Sequence, residues 1–139
     1  MASLILRSST RLLVPLILLF SIFLLVRGHN EPGGGFVGGL VAASAFALVL
    51  LSEGQSTAAR LLCVDPCSLV AAGLLVALLS GSPALLRGEP FMTGTWLETT
   101  LPVVGKAGTP VVFDMGVYLV VLGVVVAILF ALPEPDDGP

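Results

Sequence analysis

Three ionisable side chains sit where apolar sequence would not place them by chance. His29 and Glu31 lie in Gly28-His29-Asn30-Glu31-Pro32-Gly33-Gly34-Gly35-Phe36, between two strongly apolar runs, and Asp114 lies inside a third, Val111-Val112-Phe113-Asp114-Met115-Gly116. A histidine changes charge near physiological pH and can relay protons. A carboxylate inside an apolar run either sits on an ion or proton pathway, or sits at a helix start where the macrodipole favours negative charge. His29 has two readings as well, a relay or a hydrogen-bond donor in the turn. Two other patterns carry less. Gly33-x-Gly35-x-x-Gly38 fits the dinucleotide fingerprint in letters only, because that motif has meaning after a strand in a βαβ unit and here an apolar run precedes it. Cys63 and Cys67 form a C-x3-C pair with no second pair to complete four zinc ligands, so no metal site and no cofactor are expected.

The elements that position these groups follow from composition. The chain has 139 residues, of which 56% are hydrophobic and only 11% charged, against about 25% charged in soluble domains. Mean hydropathy is +1.08. The net charge of −3 comes with no basic stripe of the kind that follows phosphates, which argues against nucleic acid as a partner. The fold class expected is therefore an all-α integral membrane protein with four transmembrane helices, at about residues 10–27, 35–52, 68–86 and 110–132, and no soluble domain. Residues 1–139 form a single membrane domain whose acidic, proline-rich tail, 133–139, is expected to be disordered. The first apolar run reads as an uncleaved span rather than a signal peptide, since Arg27-Gly28-His29 follows it instead of a small-x-small site. Arg7 and Arg11 before that span place both termini in the cytoplasm.

Ser8-Ser9-Thr10 offers capping chemistry at the start of the first span, with Pro15 then in its first or second turn. Small residues recur four apart in the second span, as Gly35, Gly39, Ala43 and Ala47 and as Gly34, Gly38 and Ala42. The third repeats the pattern with Gly73, Ala77 and Gly81, and the fourth with Gly123, Ala127 and Ala131. Such ridges let helix backbones approach in lipid, where no hydrophobic drive acts between helices. They serve either contacts with neighbouring proteins or the chain's own bundle. Residues 53–68 and 87–110 read as loops. Four alternating spans put Arg27, His29, Glu31 and Asp114 on one side of the membrane.

Arg27-Gly28-His29-Asn30-x-Pro32-Gly33-Gly34-Gly35-Phe36 with Gly38-Gly39-Leu40, Pro90-Phe91-Met92-Thr93-Gly94, and Gly108-Thr109-Pro110-Val111-Val112-Phe113-Asp114-Met115-Gly116-Val117-Tyr118 closely resemble the signature of the B-type component of Mrp-type multisubunit sodium/proton antiporters, also called Mnh or Sha. The resemblance covers the chain except its tail. It implies a small subunit in the plasma membrane of a prokaryote, a transporter component rather than an enzyme, assembled with A-, C-, D-, E-, F- and G-type subunits. The complex exchanges Na+ for H+ and supports pH and sodium homeostasis. Matching motif positions are Gly28, His29, Asn30, Pro32, Gly33, Gly34, Gly35, Phe36, Thr109, Pro110, Phe113, Asp114, Gly116 and Tyr118, with Glu31 at a variable one. Asp114 and His29 are the candidates for an ion or proton pathway. Two alternatives stand beside this: a purely structural subunit, and the equivalent subunit of an ion-translocating, hydrogenase-type redox complex.

Overall fold

A computed structural model describes residues 4–27, 34–82, 86, 88, 96–101 and 105–133. In chain order the elements are α1 (Leu4–Arg27), α2 (Gly35–Glu53), α3 (Gln55–Leu62), α4 (Pro66–Ser80), β1 (Trp96–Leu101), β2 (Gly105–Gly108) and α5 (Thr109–Ala131). Four helical stretches are long and apolar enough to cross a membrane: Leu4–Arg27, Gly35–Glu53, Gln55–Ser80 and Val111–Ala131. Helices are the expected solution, because hydrocarbon offers no partner to an open backbone N–H or C=O.

The boundaries differ from the sequence reading in four places. α1 begins at Leu4, so Ser8, Ser9 and Thr10 lie within it instead of capping it. The apolar Leu4-Ile5-Leu6 turn extends the helix N-terminally, and Pro15 consequently falls in mid-helix. There it deprives the Arg11 carbonyl of its helical donor, a loss that membrane helices tolerate. Residues 53–68 are mostly helical: Glu53 ends α2, and α3 follows after Gly54, whose φ of 92° and ψ of 171° suit only glycine. Cys63, at φ 69°, ends α3 in the left-handed conformation. α4 then starts at Pro66, with Asp65 as its N-cap accepting from the Cys67 amide at 3.3 Å. Proline at the first helical position and Asp before it are a strong start signal. Finally, residues 87–110 hold a two-stranded antiparallel hairpin, with Trp96 opposite Gly108 and Leu101 opposite Gly105. The Trp-Leu-Glu-Thr-Thr-Leu run of β1 is rich in strand-favouring residues. The four-helix, all-α body stands, with this hairpin added between α4 and α5. The tail from residue 134 lies outside the described residues, as does Pro83.

In space the long helices are ordered α1, α2, α5, α4, with little direct contact between α1 and α5. α1 and α2 form an antiparallel pair. At one end the Gly34 amide donates to the Leu24 carbonyl at 3.0 Å, and at the other Arg11 Nε reaches Glu53 Oε1 at 3.2 Å. The interior between α2 and α5 is filled by Ala42, Ala43, Phe46, Leu122 and Val126. A second cluster, Val14, Ala45, Val49 and Ala58, seats α3 against α1 and α2.

Candidate functional site

Asp114 sits in the second turn of α5, half-buried, beside the start of α2. The two helices run side by side in the same direction, and glycine governs how closely. A Cβ placed on Gly35 would overlap the Asp114 carbonyl oxygen and stand 3.1 Å from the Tyr118 amide nitrogen. On Gly39 it would stand 3.0 Å from the Tyr118 carbonyl oxygen and 2.9 Å from Val121 Cβ. Backbone meets backbone along this seam, leaving no room for a methyl group. Gly34, at φ 106° and ψ −169°, holds a conformation that only glycine takes up readily, and a Cβ there would face Asp114 Oδ2 at 3.5 Å. The Asp114 carboxylate is thus directed toward the N-terminus of α2, where helix-end amides and the helix dipole favour negative charge.

One turn further along α5, the Tyr118 ring crosses Gly38, where a Cβ would stand 3.2 Å from the ring and 2.9 Å from the Ser21 carbonyl oxygen. Its hydroxyl lies 2.9 Å from Ser21 Oγ on α1. Ser21 Oγ donates to the Leu18 carbonyl at 2.6 Å, which commits its only proton. Tyr118 is therefore the donor, and the chain Tyr118 Oη–H to Ser21 Oγ–H to Leu18 O links α5 to α1 across α2.

The other flank of α5 packs on α4. A Cβ on Gly73 would stand 2.6 Å from the Gly116 carbonyl oxygen, and one on Gly116 would stand 2.7 Å from that of Gly73 and 3.1 Å from Ala77 Cβ. Gly123 meets Pro66, Leu69 and Val70 in the same way. The small residues read as ridges, Gly35, Gly38, Gly39, Ala42, Ala43, Gly73, Ala77 and Gly123, are therefore occupied within this chain's own bundle, and Gly116 joins them. Gly81 caps the end of α4 and is buried, while Ala47 and Ala127 are half-buried and Ala131 is exposed.

Of the polar motif, Gly28, His29, Asn30, Glu31, Pro32 and Gly33 lie outside the described residues. The structure places the ends that flank them, Arg27 and Gly34, at the Asp114 end of the bundle. The Arg27 guanidinium lies 5.2 Å from the Phe23 ring centroid, and Phe36 is exposed on the outer side of α2. Cys63 and Cys67 are free, exposed thiols. Among the described residues no group of three or more His, Cys, Asp or Glu could hold a metal ion. Ser21 is the residue that sequence reasoning missed: one serine amid leucines and phenylalanines carries no motif, and only its place opposite Gly38 gives it meaning.

The four apolar helices define a multi-pass membrane protein. Residues 5–127 match the family described as "Domain related to MnhB subunit of Na+/H+ antiporter", and the chain belongs to that family. It is 44% identical over 135 residues to the B-type component of the Na+/H+ antiporter of Bacillus subtilis (strain 168), covering 96% of this chain and 94% of that one. Identity to the corresponding Na+/H+ antiporter component of Alkalihalophilus pseudofirmus is 37% over 134 residues, with 95% and 93% covered. Among solved structures it resembles a chain of the Mrp complex from Dietzia sp. DQ12-45-1b, with TM-score 0.78 and 35% identity over 97% of this chain. That chain is much longer, and this one spans 15% of it.

The close seat of Gly35 makes a testable contrast with its neighbour Val37, which is exposed. Gly35 is the first residue of α2, where alanine adds little of its helix-interior propensity, but its methyl group would force two backbones apart, and overpacking costs typically about 1–3 kcal/mol. Thermal unfolding of the detergent-solubilised protein is expected to show a lower midpoint for Gly35→Ala and almost no change for Val37→Ala. Equal midpoints would remove the α2–α5 seam.

Proposed function

We infer that this chain is the B-type component of a multisubunit monovalent-cation/proton antiporter, which exchanges Na+ for H+ and supports pH and sodium homeostasis. The observation that carries this reading is the end-to-end correspondence with the Bacillus subtilis antiporter component, at 44% identity with 94% of that chain covered. The protein works in a hetero-oligomeric membrane complex with A-, C-, D-, E-, F- and G-type partners, as a transporter component. Against the rival in which small-residue ridges hold neighbouring proteins stand the contacts of Gly35, Gly38, Gly39, Gly73 and Gly123 within this bundle.

Within the protein, Asp114 is the functional charge. Support comes from its position: a carboxylate in an apolar helix, set against the N-terminus of α2 and at the same end of the bundle as Arg27 and the polar motif that holds His29. In lipid such a group is costly unless neighbours stabilise it, and intramembrane carboxylates commonly serve ion or proton paths. His29, in the connection between α1 and α2, is its proposed partner in proton exchange. The N-terminus, the α3–α4 junction and the C-terminus face the cytoplasm, in keeping with Arg7 and Arg11 ahead of the apolar part of α1.

Two experiments test these statements. Asp114→Asn keeps shape and hydrogen-bonding capacity but cannot ionise. At matched complex levels in everted vesicles, it is expected to lower Na+-dependent proton flux at least several-fold, or to displace its pH dependence, whereas unchanged flux across pH would show the carboxylate to be only a helix-end acceptor. For orientation, an impermeant thiol reagent should leave Cys63 and Cys67 unlabelled in intact cells and label them in everted vesicles. Rapid labelling from outside would invert the topology.

A further inference from the structure

We propose that the Tyr118–Ser21 hydrogen bond is a register lock that positions Asp114, so that Tyr118 and Ser21 are positioning residues for the exchange reaction; this rests on Asp114 being the functional charge. The α2 face that receives α5 repeats a small residue every fourth position, Gly35, Gly39, Ala43 and Ala47. A seam of that kind has nearly the same shape after a slip of one helical turn, about 5.4 Å. Close packing alone therefore holds α5 against α2 without fixing how far along it α5 sits. In lipid there is also no hydrophobic gradient between the alternatives, since every register buries apolar surface against apolar surface.

A buried polar pair breaks that degeneracy. Ser21 is fully buried on α1, and its hydroxyl is reached by Tyr118 because Gly38 opens a gap in α2 for the ring to cross. In a register one turn inward the ring would meet Ala42, whose methyl group closes the gap, and the tyrosine proton would be left in an apolar interior; one turn outward it would meet Gly34 at the helix end and lose Ser21. Leaving such a donor unpaired costs more than its net bond contributes when made, so the penalty falls on the wrong register. Single buried polar residues set register in coiled coils on the same principle. Asp114 is one turn from Tyr118 on the same face, and the same register puts its Oδ2 opposite Gly34. The hydroxyl pair is thus a ruler for the carboxylate, at a point where α1 and α5 otherwise barely touch. Among the described elements packed around α5 the ionisable groups are Arg7, Arg11 and Arg27 on α1, Glu53 on α2, Cys67 on α4 and Lys106 on β2, with Asp114 and Tyr118 on α5 itself. Arg7, Arg11, Glu53 and Cys67 lie at the far end of the bundle.

The test is a double-mutant cycle in the intact complex, with Na+-dependent proton flux in everted vesicles measured across pH at matched complex levels. Tyr118→Phe, Ser21→Ala and the pair are compared with Asp114→Asn, and with Ser44→Ala as a control, whose exposed hydroxyl bonds only to its own helix. Each single variant is expected to assemble, to lose roughly two- to ten-fold in flux, the factor to which one net hydrogen bond corresponds, and to displace the pH profile in the same direction. The pair should be no worse than either single variant. Wild-type flux and pH profile for Tyr118→Phe and Ser21→Ala, with Asp114→Asn impaired, would overturn the lock and leave Asp114 in place. Wild-type flux for Asp114→Asn would overturn the underlying reading, and the lock with it. Additive losses in the pair, or loss of assembly in both single variants, would assign the bond to something other than positioning and also overturn the proposal.

Discussion

Backbone-to-backbone contact at glycine is the constraint on which the rest of this bundle depends. α5 is gripped from two sides, by Gly35 and Gly39 of α2 and by Gly73 of α4 against its own Gly116. In water, burial of leucine and valine would hold such helices together, but in a bilayer lipid tails satisfy those side chains equally well. What remains is dispersion between closely apposed surfaces, together with weak contacts between glycine Cα–H groups and facing carbonyls. Both fall away steeply with distance, so a single methyl group in either seam changes the balance. The large apolar residues accordingly point outward, among them Leu12, Leu16, Leu19 and Phe20 of α1 and Leu74, Leu75, Leu78 and Leu79 of α4.

That mode of packing shapes the chemistry. Where two helices meet through glycine, the α5 backbone lies directly on the α2 N-terminus, and the Asp114 carboxylate is brought to a helix end rather than left facing hydrocarbon. A helix N-terminus is a setting that lowers the cost of a carboxylate in an apolar helix. The hydrogen-bonded pair Tyr118 and Ser21 adds direction to a seam that by itself specifies only closeness. Gly38 serves both, as a thin point of α2 and as the passage for the tyrosine ring.

Much of this was legible in the sequence, for identifiable reasons. Apolar runs of spanning length and four-residue spacing of glycine and alanine are local patterns, and they marked the four helices and the packing faces. Asp114 stood out as a charge amid valines. Whether the ridges faced partners or the chain itself was not a local property, since the same spacing serves either, and only the contacts of Gly73 with Gly116 show that seam to lie within the bundle. The helical character of residues 55–62 was hidden because Gln-Ser-Thr-Ala-Ala-Arg is polar enough to read as a loop, and its buried Ala58 gains meaning only against Val14 and Val49. The hairpin of β1 and β2 was missed because attention to apolar length overlooks a threonine-rich strand. Ser21 required knowing which residue lies opposite it, which a single sequence does not contain.

The most direct test of glycine-seated packing is the thermal unfolding midpoint of Gly116→Ala in the detergent-purified protein. Helix propensity alone favours alanine by about 1 kcal/mol in a helix interior. At Gly116, however, the new Cβ would stand 2.7 Å from the Gly73 carbonyl oxygen and 2.8 Å from the Ala77 amide nitrogen, both backbone atoms that cannot swing aside. The two effects have opposite sign, so the direction of the shift decides. A lower midpoint is predicted, and an unchanged or raised midpoint would contradict the account.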